Sequence, residues 1–157
     1  REAVTYVHKR FATSDYLPIV TITEPLTAAE LVEFYLAADV MCVTPLRDGM
    51  NLVAKEYVTS RVDEQGVLLL GREAGAADEL VESLTVDPSD HQELVQAIWQ
   101  ALTLTPGEAH VRMRALRSRV MARDVHRWAE NFLTAVNDSN TVKTAEDSGR
   151  CAAAEQA

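Results

Sequence analysis

The sequence predicts an α/β domain in which helices flank a mostly parallel sheet. Three observations carry that expectation. Short apolar runs rich in Val, Leu and Met stand at 40–43 and 67–70, and a brief strand-like Leu84-Thr85-Val86 follows. A stretch with apolar residues at helical spacing follows most of them, so strand and helix alternate along the chain. The runs also stop at turn-forming residues, at Thr44-Pro45, Gly71 and Asp87-Pro88. Unbroken apolar runs suit strands covered on both faces, and parallel strands need such helical crossovers.

Taken in order, residues 1–16 show no clear period, carry the basic cluster His8-Lys9-Arg10, and open without a Met or a capping residue. They read as a divergent or incomplete N-terminal segment, and the chain as a fragment. Leu17-Pro18-Ile19-Val20-Thr21-Ile22 reads as a strand ended by Thr23-Glu24-Pro25. Thr27 then caps a helix, Glu30 completes a capping box, and Leu31, Val32, Phe34, Tyr35 and Ala38 follow at helical spacing. After the strand at 40–43, the loop Leu46-Arg47-Asp48-Gly49-Met50-Asn51 leads into a helix over 52–60. The strand at 67–70 leaves through Gly71 to a short helix over 74–81. The brief strand at 84–86 precedes a helix capped by Ser89 or Asp90 and bearing Leu94, Val95, Ile98, Trp99 and Leu102. Beyond Thr105-Pro106-Gly107 the pattern predicts one long helix to about residue 136. Residues 137–157, small and polar, read as a disordered tail.

Composition narrows the functional classes. The 157 residues suit one domain, and six Gly with five Pro are too few for a low-complexity chain. With 24 acidic against 15 basic residues, the net charge of −9 argues against a nucleic-acid-coating surface. No apolar run approaches the roughly 18 residues of a membrane span, and no signal segment opens the chain. Cys42 and Cys151 read as free thiols in a reducing compartment, so the expectation is a cytoplasmic protein with no membrane or nucleic-acid partner.

Open parallel sheets bind ligands beyond the carboxyl ends of their strands. The loop after Val43 is therefore the first place to look. A helix beginning near Asn51 leaves backbone N–H groups unpaired at about residues 50–53 and points its positive dipole end there, which suits phosphate. Gly49 would let the main chain approach such a guest. Glu56, one turn deeper on the face of Leu52, could accept hydrogen bonds from a ribose diol. The competing reading is an ordinary turn in which Asp48 or Asn51 caps the helix; spacing alone leaves both open, since no glycine-rich phosphate motif is present. His8, His110 and His126 are isolated and read as surface residues. The arginines at 112, 114, 117, 119, 123 and 127 read as a solvated helix face. Trp99 and Trp128 read as core with Leu102, Phe132 and Leu133, Ala74-Gly75-Ala76-Ala77 as a ligand loop or a close-packing stretch, and Cys42 as an inert buried thiol.

The run Thr44-Pro45-Leu46-Arg47-Asp48-Gly49-Met50-Asn51-Leu52-Val53-Ala54-Lys55-Glu56-Tyr57 resembles the donor-nucleotide motif of trehalose-6-phosphate synthases. These are retaining glycosyltransferases of the two-domain GT-B fold. Ala38-Asp39-Val40, Gly66-Val67-Leu68, Ala74-Gly75-Ala76-Ala77, Val86-Asp87-Pro88 and Asp124-Val125-His126-Arg127-Trp128 match in the same order, so the resemblance spans about residues 17–136. It implies a Rossmann-like domain, part of the C-terminal half of a GT-B enzyme. By that resemblance Leu52, Val53, Ala54, Lys55 and Glu56 bind the nucleotide, with Glu56 on the ribose, and Leu26 meets the uracil ring. Asp48, Gly49, Met50 and Asn51 hold the donor sugar. The family transfers glucose from UDP-glucose, or another nucleoside diphosphate glucose, to glucose 6-phosphate, with no metal, no cofactor and no covalent protein nucleophile. Most acceptor contacts and a phosphate-neutralising basic pair belong to the amino-terminal domain, upstream of the matched run. Glucose 6-phosphate is thus expected as a partner only when that domain is supplied, and the chain alone is expected to be inactive, with homo-oligomer formation possible. A GT-B transferase with another acceptor, or a non-catalytic binding module, is the alternative.

Overall fold

The three apolar runs form the expected sheet. In the computed structural model, which describes residues 2–123, 129, 132–134 and 136, β1 (Val40–Val43), β2 (Val67–Gly71) and β3 (Leu84–Val86) pair in parallel in the order β1-β2-β3. Val40 stands against Val67 and Val43 against Leu70; Leu69 stands against Leu84 and Gly71 against Val86. Every residue of β2 is buried, as a Leu-rich strand with a neighbour on each side requires. At the sheet edge, β1 buries Val43 but leaves Cys42 exposed. This corrects the expectation of a buried thiol: an apolar run alone does not distinguish a central strand from an edge strand.

The chain divides into two units, residues 1–31 and 32–157, with the boundary inside α2 (Ala28–Ala37). The first contains α1 (Glu2–Phe11), a helix the sequence reading missed. It buries no residue fully, but Val4 and Val7 form a half-buried apolar face at helical spacing that the sequence reading overlooked; Glu2 at its start and His8, Lys9 and Arg10 at its end also complement the helix dipole. Residues 17–22 are not a strand. Pro18 lacks an N–H for a ladder, and the Ile19 carbonyl accepts a 2.8 Å hydrogen bond from His8 Nε2. The capping box at the head of α2 forms as expected: Glu30 Oε2 accepts from the Thr27 amide at 2.8 Å, and Thr27 Oγ1 accepts from the Glu30 amide at 3.3 Å.

In the second unit, α3 (Leu52–Ser60), α4 (His91–Thr103) and α5 (Pro106–Ala122) pack on the sheet. Val67, Leu69, Leu84 and Val86, which alternate along β2 and β3, meet Ala97 and Ala101 of α4 and Ala109 of α5 in one core, flanked by Leu94, Ile98 and Leu104. α4 carries two apolar stripes, and the one with alanines faces the sheet because small residues let the helix lie close. Trp99, expected in the core, is therefore 69% exposed, and Val95 and Leu102 share its face. Phe132 and Leu133 are exposed as well; Trp128, Cys151, Arg127, His126 and the tail over 137–157 lie outside the described residues. Asp90, not Ser89, caps α4 by accepting from the Gln92 and Glu93 amides. A full capping box, Thr105 with Glu108, opens α5 behind Pro106.

Two predicted helices differ in extent. Residues 74–81 form only a 3-10 turn at Gly75–Asp78, because the chain must turn inward to bury Leu80, whose carbonyl Ser83 Oγ then caps at 2.7 Å. α5 ends at Ala122, with the Arg123 amide reaching back to the Val120 carbonyl, and residues 129, 132–134 and 136 of the expected long helix are helical as well.

Charged side chains lock the helices together. Arg61, buried just past α3, donates through Nη1 to the carbonyls of Tyr35, Leu36 and Ala38 at 3.1, 2.7 and 2.9 Å, and through Nε and Nη2 to the Asp63 carboxylate. It thus satisfies the orphan carbonyls at the end of α2 and sits at that helix's negative pole. On α5, Arg112 donates to the Glu82 carbonyl, Arg117 to those of Val58 and Thr59, and Arg119 to the Glu82 carboxylate through both Nε and Nη2. Three of the six arginines expected on a solvated helix face are therefore structural ties.

Hydrogen bonds from Arg119 hold the Glu82 carboxyl below the usual carboxylate range. A depressed folded-state value means that the pair stabilises the fold above the ordinary carboxyl pKa and ceases to do so as pH falls through the depressed one. Glu82→Gln should therefore lower the thermal midpoint at neutral pH, and the gap to the parent should close in acid. A gap that stays constant from neutral pH into acid would show that the ion pair contributes nothing.

Candidate functional site

The loop after β1 is held by the loop after β2, main chain against main chain. A Cβ on Gly71 would stand 2.7 Å from the Pro45 carbonyl oxygen, and one on Gly75 would stand 2.2 Å from that of Gly49. Only glycine permits this approach. The Gly75 amide donates to the Gly49 carbonyl at 2.8 Å, the Asp48 amide donates to the Glu73 carbonyl at 3.3 Å, and Asp48 bridges Ala74 in parallel. The Ala74-Gly75-Ala76-Ala77 stretch thus supports the loop over 45–49 from behind. Gly49 itself has no positive φ, and a Cβ there would meet nothing within 4 Å, so its outer side is open and the close main-chain contact lies at Gly75.

Asn51 takes the left-handed turn into α3, at φ 51° and ψ 78°. Asn tolerates this region better than most residues. Its Oδ1 accepts from the Ala54 amide at 3.0 Å, and its Nδ2 donates to Asp48 Oδ2 at 2.6 Å. Asp48 Oδ1 accepts from the Gly49 amide at 2.7 Å. The capping reading of this turn is therefore correct, yet it does not displace the other one. Asn51 occupies only the Ala54 amide; those of Met50, Asn51, Leu52 and Val53 donate to no acceptor among the described residues. They sit at the positive end of α3, beside the exposed side chains of Met50, Leu52 and Val53. An anion placed there would meet donors already fixed in position.

The rest of the first two turns of α3 is divided between support and display. Ala54 is fully buried. Lys55 forms a 2.7 Å ion pair with Glu79, just beyond the 3-10 turn, and Glu79 Oε1 is buried without a hydrogen-bond partner among the described residues. Glu56 is exposed, and its Oε2 accepts from the Tyr35 hydroxyl at 3.1 Å. Tyr35 is 4% exposed and meets the Tyr57 ring edge-on, with centroids 6.0 Å apart. Burial pushes the Tyr57 phenol up to about 12, and burial, then the Glu56 bond, raises that of Tyr35. Both remain neutral donors at neutral pH. Arg47 is exposed in the loop, and Leu26 is exposed in the unit formed by residues 1–31. Among the described residues, no group of three or more His, Cys, Asp or Glu is placed to hold a metal ion.

Sequence reasoning missed the supporting roles of Gly71, Glu79 and Tyr35, and placed Gly75 in a ligand loop or close-packing stretch without its partner Gly49. The glycines carried a usable signal, standing at the end of a strand and in a small-residue run. Tyr35 carried none, because its spacing is that of any core residue.

The model of glycosyltransferase family 20 matches residues 1–138. The trehalose-6-phosphate synthase of Mycolicibacterium vanbaalenii is 44% identical over 140 residues, which are 89% of this chain and 28% of that protein. A Burkholderia xenovorans alpha,alpha-trehalose-phosphate synthase (UDP-forming), solved with glucose-6-phosphate, superposes with a TM-score of 0.81 at 38% identity, over 87% of this chain and 30% of that one. An E. coli trehalose-6-phosphate structure bound with UDP-2-fluoro glucose gives 0.80 at 33% identity, over 85% and 30%. The chain therefore spans less than a third of the length of these relatives.

Substitutions at two positions test how the loop is held. Gly75→Ala should destabilise the fold by about 1–3 kcal/mol in urea unfolding, since a Cβ must displace the Gly49 carbonyl. Asn51→Ala should cost about 1–2 kcal/mol through the lost cap and the left-handed φ, whereas Asn51→Gly should cost only a few tenths. Equal losses for Ala and Gly at position 51 would show that backbone conformation plays no part.

Proposed function

Because this chain belongs to glycosyltransferase family 20, we propose that it forms the donor-binding part of an enzyme making trehalose 6-phosphate from a nucleoside diphosphate glucose and glucose 6-phosphate. The observation that carries the proposal is the row of uncommitted amides at residues 50–53, with the Glu56 carboxylate one turn further along the same helix. The sequence matched to the relatives runs through this loop, and two of the superposed structures hold a UDP-sugar analogue and glucose-6-phosphate.

In this reading the diphosphate lies over the start of α3, where N–H groups and the helix dipole offset its charge. Glu56 accepts hydrogen bonds from the ribose hydroxyls; placed against the diphosphate it would repel it. Asp48 and the Gly49–Asn51 main chain face the glucose. Asp48 reaches that position with both carboxylate oxygens already accepting one bond each, so its orientation is set before sugar arrives. Reaction breaks the bond from the anomeric carbon to the diphosphate oxygen and forms one to the acceptor hydroxyl on the same face, with retention. The leaving phosphate oxygen takes the acceptor proton, so the protein supplies charge stabilisation and position instead of a nucleophile. The acceptor pocket belongs, in this proposal, to the part of the enzyme that this chain does not span.

The isolated chain should bind UDP with a Kd of about 0.1–1 mM (about 4–5.5 kcal/mol) by titration calorimetry, half a cleft giving weak affinity. Glu56→Ala should weaken UDP more than pyrophosphate. Equal losses for the two ligands would remove the ribose assignment, and no heat with millimolar UDP on folded protein would remove the site.

A further inference from the structure

We infer that Tyr35 is a positioning residue for the nucleotide sugar: its hydroxyl aims the Glu56 carboxylate at the ribose. The inference rests on the donor-site reading above and adds a residue from outside the loop and helix that form that site. Tyr35 lies on α2, 21 positions before Glu56, and its hydroxyl donates to Glu56 Oε2 at 3.1 Å. Among the described residues it is the only group that donates to that carboxylate. An exposed Glu on a helix ordinarily samples several rotamers, and losing that freedom costs free energy when a ligand binds. A single hydrogen bond from a fixed donor reduces that loss.

The donor is fixed on every side. The Tyr35 ring is buried and packs edge-on against Tyr57. Tyr57 is anchored through its own hydroxyl to the Ala38 carbonyl at 3.3 Å, and Arg61 holds the carbonyls of Tyr35, Leu36 and Ala38 while standing 6.0 Å over the Tyr57 ring. Such a chain of contacts is more than burying a tyrosine needs; phenylalanine would fill the same space. What the hydroxyl adds is a direction for Glu56. It engages Oε2 and leaves Oε1 to a ribose hydroxyl.

Ligand-observed NMR on the whole chain tests this with uridine 5′-diphosphate and its 2′,3′-dideoxy analogue. Tyr35→Phe should weaken the parent nucleotide by about 2- to 12-fold, the range of one hydrogen bond, and leave the dideoxy analogue unchanged. In a Glu56→Ala background the same change should have no further effect. A Tyr35→Phe loss that is equal for both nucleotides, or that persists without Glu56, would mean that the hydroxyl acts only on packing and would overturn the inference. If Glu56→Ala weakens the nucleotide while Tyr35→Phe does not, positioning by Tyr35 fails and the donor site stands. If Glu56→Ala itself has no effect, the donor-site reading fails, and this inference with it.

Discussion

The loop that carries the site depends on one close approach: the Gly75 backbone against the Gly49 carbonyl, with Gly71 against Pro45 beside it. Parallel strands deliver their connecting loops to the same end of the sheet, so the loops after β1 and β2 start out as neighbours. Ordinary side chains at 71 and 75 would hold them apart. With glycine there, the two main chains hydrogen-bond directly, through the Gly75 amide to Gly49 and the Asp48 amide to Glu73. A loop attached by its backbone has few ways to move, and the amides that follow it are aimed accordingly. Stiffness of this kind is what a site for a charged ligand needs, because donors that need no reorganisation are worth more.

Behind the loop, polar side chains do what apolar contact cannot. Arg61 is a buried cation, a costly thing unless every donor finds a partner, and here it spans three carbonyls and a carboxylate. Its geometry fixes the end of α2 against α3. Tyr35 and Tyr57 lie within that arrangement, which is how a carboxylate on an exposed helix face comes to have a buried donor. The ion pair of Lys55 with Glu79 ties the same helix to the supporting loop. Structure and display thus alternate along α3: Ala54, Tyr57 and Val58 face inward, Lys55 ties sideways, and Leu52, Val53 and Glu56 face out.

Much of this was legible in the sequence, for physical reasons that differ by element. The strands at 40–43 and 67–70 were clear as unbroken apolar runs, and that at 84–86 as Leu84 and Val86 alternating with the exposed Thr85 before Asp87-Pro88. The capping box at Thr27 was clear because it is local chemistry; the one at Thr105 is equally local, but only the break at Thr105-Pro106-Gly107 was read there. Helix α1 was not clear, since its apolar face, Val4 and Val7, is short and only half-buried among charged neighbours. The run over 17–22 has strand-like composition without a strand, because pairing is decided by a neighbour and a window of residues contains none. Trp99 shows the same limit: two apolar stripes wind around α4, and the sheet chooses the one with alanines. At the site, the loop, the helix start and Glu56 could be read from spacing and resemblance. Gly75 stood in a small-residue run that could be read as close packing, but its partner Gly49 could not, and the bond from the Tyr35 hydroxyl to Glu56 is a relation between distant residues, visible only once the chain is folded.

The central claim is that the main chain at the start of α3 receives a diphosphate. The most direct measurement is a backbone amide correlation spectrum, with assigned resonances, recorded while UDP is added to the folded chain. The account predicts saturable shifts centred on the amides of Met50, Asn51, Leu52 and Val53, with smaller changes along α3 to Glu56. Resonances at 50–53 that stay fixed while UDP saturates another surface would contradict it.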